Sequence, residues 1–84
     1  MNGTTYPAKL TEVINGLTDY GWSFVLNHGK DTGEHPYIAI EGGRGNEHVM
    51  VTWHTRATGT YRLFTCMFNK RDTTLTKAIE GITA

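Results

Sequence analysis

The 84-residue sequence predicts an α+β domain, a four-stranded antiparallel meander flanked by an N-terminal and a C-terminal helix, and three observations predict it. Leu10, Val13, Ile14 and Leu17 recur at spacings of three and four, which is the stripe of an amphipathic helix. From Trp22 onward the period falls to two, and β-branched and aromatic residues gather in segments separated by short glycine-bearing turns. At the end Leu75, Ala78, Ile79 and Ile82 restore the helical spacing. No repeat, linker or low-complexity tract interrupts this order, so residues 1–84 are expected to form a single domain. A chain this short buries only about 60% of its unfolded surface, enough for one thin core.

The first helix is expected from Pro7 to Tyr20. Proline suits a first turn because its missing N–H is not needed there, Thr4 or Thr5 supplies a capping oxygen, and Tyr6 extends the stripe one turn backward. Gly21 reads as the left-handed residue that ends the helix. Gly16, after Asn15, is a weak point where the helix should fray, since interior glycine costs about 1 kcal/mol relative to alanine. In the first strand Trp22, Phe24 and Leu26 alternate with Ser23, Val25 and Asn27. The second strand covers Tyr37 to Glu41, and residues 42–46 form a turn. The third strand runs from His48 to Thr55, residues 56–60 turn, and the fourth runs from Tyr61 to Phe68. Short turns imply antiparallel neighbours. Asp72 or Thr73 then caps the second helix.

The turn between the last two strands sets their register, with Thr55 opposite Tyr61, Trp53 opposite Leu63, Val51 opposite Thr65 and Val49 opposite Met67. That face is apolar and seats both helices. The expected core is therefore Leu10, Val13, Ile14, Leu17, Ile38, Ile40, Val49, Val51, Trp53, Leu63, Met67, Leu75, Ile79 and Ile82. The other face holds His48, Met50, Thr52, His54, Arg62, Phe64, Cys66, Phe68 and Tyr37. Apolar side chains rimmed by His and Arg usually mark an interaction surface, so Met50, Arg62, Phe64, Phe68, His48 and His54 are the candidate partner-binding residues. The competing expectation is that the second helix or the loop around residues 29–36 folds over this side and makes it a second small core.

Eight Lys plus Arg balance eight Asp plus Glu, which removes the broad field of a general nucleic-acid or membrane binder. Cys66 is the one cysteine, so neither an internal disulfide nor a cysteine zinc cage can be built. Its neighbours Phe64 and Phe68 suit an inert, buried thiol. The opening residues lack a basic segment or an apolar run, which leads to an expected cytoplasmic location without membrane contact. His48 and His54 lie six residues apart on one strand, about 20 Å, too far to share an ion. His28 and His35, with Asp31 or Glu34, are too few for a metal site. Arg44, Lys70 and Arg71 share an end of the sheet where an anion would be received, but Glu41, Glu47 and Asp72 offset them. No triad, elbow or phosphate fingerprint occurs, so neither catalytic activity nor a cofactor is expected.

The order of helix, meander and helix is similar to that of the double-stranded-RNA-binding domain. That family's basic run at the start of its last helix is replaced here by Asp72-Thr73-Thr74-Leu75-Thr76-Lys77-Ala78. The alternation Arg62-Leu63-Phe64-Thr65-Cys66-Met67-Phe68 resembles the aromatic strand of an RNA-recognition motif, although it lacks that family's glycine. The size, the Thr-rich strands and the Tyr6-Pro7 opening resemble small accessory proteins of bacteriophages, especially those of actinobacteria, many of which bind a host protein. The resemblance implies a protein that binds a host protein, and together with the exposed patch and the missing catalytic motifs the expectation is a non-catalytic interaction domain docking through the sheet face. The alternatives are a single-strand nucleic-acid binder stacking bases on Phe64 and Phe68, and a homodimeric accessory protein.

Overall fold

A computed structural model describes residues 6–30, 36–55 and 60–84. In chain order the elements are α1 (Leu10–Asp19), β1 (Ser23–Lys30), β2 (Pro36–Arg44), β3 (Glu47–Thr55), β4 (Tyr61–Phe68), β5 (Arg71–Asp72) and α2 (Leu75–Ile82). The class is α+β as expected, but the antiparallel sheet has five strands, in the order β1-β2-β3-β4-β5.

Helix α1 starts three residues later than expected. Its first turn is held by the Leu10 N–H donating to the Pro7 carbonyl at 3.1 Å, and Lys9 occupies the cap position without a side-chain bond to the helix backbone. Thr4 and Thr5 lie outside the described residues. The end agrees with expectation: Gly21 has φ +80° and the Trp22 N–H donates to the Leu17 carbonyl at 3.0 Å, which closes a Schellman turn. Gly16 is no weak point, because α1 runs unbroken through it and it is buried. A Cβ there would sit 3.1 Å from Ile82 Cγ2 and 3.2 Å from Thr83 Cγ2, so its small size lets the two helices meet.

The fifth strand follows a tight turn in which Asn69 and Lys70 both have positive φ, 53° and 69°. Asn69 also ties the turn to β3: its N–H donates to the His48 carbonyl at 2.7 Å, and its Oδ1 accepts from the His48 N–H at 2.9 Å. The chain therefore doubles back against β4, with Asp72 opposite Met67, and the Thr73 N–H extends the ladder to the Cys66 carbonyl. Since Asp72 and Thr73 are spent on the sheet, the cap of α2 falls on Thr74, whose Oγ1 accepts from the Lys77 N–H at 3.2 Å.

Both helices share one core on one face of the sheet. Leu10, Val13, Leu17, Trp22, Ile38, Ile40, Val49, Val51, Trp53, Cys66, Ala78 and Ile82 are buried there, with Ile14, Phe24, Tyr61, Phe68, Leu75 and Ile79 packed around them. Leu63 and Met67 do not join it. Leu63 is 44% exposed at the sheet margin, and Met67 lies on the opposite face. Leu63 keeps the expected register, and for Met67 the cause is a β-bulge. Trp53 still opposes Leu63, but Thr52 opposes Thr65, leaving Phe64 as the extra residue. From there to the end of β4 the register differs by one from the expected one, so Val51 meets Cys66 and Val49 meets Phe68.

Close packing at α2 can be tested by Gly81→Ala. Alanine in a helix interior usually gains about 1 kcal/mol. Here, however, the new Cβ would meet the Phe68 ring at 2.7 Å, and overpacking of that kind costs about 1–3 kcal/mol. The expected result is a lower urea midpoint for Gly81→Ala, partly restored when Phe68→Leu is added. A stabilised single variant would disprove the contact.

Candidate functional site

The side of the sheet away from the helices is uncovered among the described residues. Antiparallel partners share a face, so the register assigns to it Val25 and Asn27 of β1, Tyr37, Ala39 and Glu41 of β2, and His48, Met50, Thr52 and His54 of β3. Arg62, Phe64, Thr65 and Met67 of β4 complete it. None of these residues is buried, so no second core forms here among the described residues.

A row of three rings crosses this face. His54 lies between Tyr37, at 5.8 Å and 26° between planes, and Phe64, at 4.4 Å and 39°. The bulge matters here, because an extra residue in β4 leaves Phe64 on the open side beside Thr65, 70% exposed, where it rests against His54. Arg62 is the cross-strand partner of His54, and both are flanked by Thr55 and Leu63 in a shallow depression of about 240 Å³. Lower down the face, His48 Nε2 lies 2.8 Å from Glu41 Oε2. Met50 and Met67 are cross-strand partners between these polar and aromatic groups. The surface is thus aromatic at one end, flexible and apolar in the middle, and polar at the other.

Five of the six candidate residues, His48, Met50, His54, Arg62 and Phe64, therefore share this face. Phe68 does not. Below the bulge it faces the helices, and its ring packs edge-on against Trp22 at 5.9 Å. Cys66 moves inward with it and is buried. Sequence reasoning placed Met67 in the core and passed over Val25, which is 56% exposed. Met67 was concealed because Thr65-Cys66-Met67-Phe68 is compatible with either register; each alternating set is apolar enough to be a core.

The cationic end of the sheet is a structural clamp. Arg44 donates through Nε and Nη2 to Glu47 Oε1 at 2.9 and 2.7 Å, and through Nη1 to the Tyr20 and Ile82 carbonyls at 3.0 and 3.4 Å. Its guanidinium also lies 4.6 Å above the Trp22 ring. Those commitments leave it unsuited to receive an anion. Among the described residues no three His, Cys, Asp or Glu side chains gather as a metal site, and His35 lies outside them. No described helix is long and apolar enough to cross a membrane. Comparison with protein-family models, with curated proteins and with solved structures finds no match for this chain.

Two measurements check these placements. Phe64→Asp is expected to fold with a stability within about 0.5 kcal/mol of wild type, as for an exposed position, whereas Phe68→Ala is expected to lose about 3 kcal/mol. Denaturant melts decide between them, and a reversed order would return Phe64 to the core. Burial pushes the Cys66 thiol above its ordinary value of 9.0, and burial, then Tyr6, pushes the Tyr61 hydroxyl above 10.0. The unfolded chain consequently releases these protons first as pH rises. Their contribution to stability is complete below the ordinary thiol value and is lost as pH climbs through the raised one. The urea midpoint should fall from about pH 8 to 10, and less steeply in Cys66→Ala.

Proposed function

We propose that this protein is a non-catalytic interaction domain that docks a partner protein on its open sheet face. The observation that carries this reading is the exposed Phe64 ring, 70% accessible and continuing the Tyr37 and His54 row across three strands. A ring of this kind is a suitable anchor, since interface energy concentrates in aromatic side chains that are desolvated on docking, and His54 holds the ring in place beforehand. Met50 and Met67 adjust to an irregular partner surface. Arg62, His48 and Glu41 form a polar rim. The similarity to phage accessory proteins favours a host protein in the bacterial cytoplasm as the partner.

Net neutrality supports a protein over a nucleic acid. Phosphate contacts need cations, and Arg62 is the one Lys or Arg that the register assigns to this face among the described residues. The test captures partners from a bacterial lysate with wild type, with Phe64→Asp and with Lys77→Glu on α2. A captured protein, once purified, should bind wild type and Lys77→Glu alike and bind Phe64→Asp at least about tenfold more weakly by calorimetry. Equal binding by all three would remove the face from consideration. Salt-sensitive binding of a labelled single-stranded oligonucleotide that is lost in Phe64→Ala would replace the protein partner with a nucleic acid.

A further inference from the structure

The two edges of the sheet differ in a way that concerns self-association. The β4 edge is guarded: the bulge at Phe64 twists it, β5 covers its lower part, and exposed Arg62, Lys70, Arg71 and Asp72 stand along it. Edge β1 carries none of these devices before its last residue, Lys30. Its ladder to β2 is continuous from Ser23 to Lys30, without bulge or proline, and no Asp, Glu, Lys or Arg occurs between Asp19 and Lys30. Among the described residues no other strand pairs with it. It is also apolar on both sides. Val25, opposite Glu41, is 56% exposed on the open face, and Leu26, opposite Ile40, is 42% exposed on the helix face where the core runs out.

An unguarded strand that ends both layers in exposed apolar side chains is a template for one more strand. We infer that β1 pairs antiparallel with β1 of a second copy of this chain, about a two-fold axis at Leu26. Two-fold pairing demands a segment that tolerates facing itself, because charges near the axis would oppose like charges. This segment meets that demand. In the register centred on Leu26, Leu26 opposes its own copy, Val25 opposes Asn27, Phe24 opposes His28 and Ser23 opposes Gly29, with no Asp, Glu, Lys or Arg among them. The axis stands perpendicular to the sheet, so the pair has one continuous ten-stranded sheet with both open faces on the same side. Assembly closes at two copies because the outer edges are then the guarded β4 and β5 edges.

Sedimentation at about 0.1–1 mM tests this, with a mass twice the 9.4 kDa of one chain expected. Leu26→Lys sets two ammonium groups face to face and should raise the dissociation constant at least about tenfold while circular dichroism stays native. Phe64→Asp should remain dimeric, which separates this edge contact from docking on the sheet face. Across an antiparallel pair Cα atoms lie about 4.5–5.5 Å apart, within reach of a disulfide. Leu26→Cys in a Cys66→Ala background should therefore cross-link on oxidation, and this decides the matter if Leu26→Lys does not fold. A monomeric wild type across the range overturns the inference. So does a dimer that Leu26→Lys leaves intact, that Phe64→Asp abolishes, or that Leu26→Cys fails to link.

Discussion

The Trp22 indole holds together parts of the chain that have no local reason to meet. Its Nε1–H donates to the Ile82 carbonyl at 3.0 Å, a buried bond between residues 60 positions apart that joins the end of α1 to the end of α2. A neutral hydrogen bond contributes only about 1 kcal/mol net, but an indole N–H left buried without a partner costs about 1–3 kcal/mol, so any packing that separates the helices is penalised. Phe68 packs against one side of the ring, and the Arg44 guanidinium lies over its face. Arg44 in turn binds the carbonyls that end α1 and α2, where the helix dipoles favour a cation. The clamp therefore sets the position of both helices relative to the turn between β2 and β3.

Because the clamp draws both helices to one side, the sheet has one packed face and, among the described residues, one bare face. What the bare face displays is decided in β4, where the bulge separates Phe64 from Phe68. The first ring is placed over His54 and the second against Trp22 and Gly81. Two phenylalanines four residues apart in one strand would share a face in a regular ladder; the inserted residue assigns one to stability and the other to the surface.

The helical stripes of α1 and α2 were legible because Leu10, Val13, Leu17, Ala78 and Ile82 follow the 3.6-residue period and are all buried. So were β3 and β2 as far as Glu41, whose inward Ile38, Ile40, Val49, Val51 and Trp53 alternate with Ala39, His48, Met50, Thr52 and His54, although β2 runs on to Arg44 through residues expected to turn. Strand β5 was not, since Arg71-Asp72 carries no hydrophobic pattern and exists because Asn69 and Lys70 take positive φ and Asn69 grips His48. Arg44 was read as one of a loose group of cations, because its partners Tyr20 and Ile82 lie 24 and 38 residues away.

The sequence by itself determined the α+β class, the order of the elements other than β5 and the inward side of α1, α2, β2 and β3, because local periodicity assigns apolar side chains to one stripe or one face. It also placed His48, Met50, His54, Arg62 and Phe64 on one face, since β3 and the upper part of β4 keep regular alternation. Only the tertiary structure decided the register of Thr65 to Phe68, the exposure of Phe64, the burial of Cys66 and the structural use of Arg44. Those features depend on a single inserted residue and on contacts between distant segments, and a periodic pattern carries no information about either.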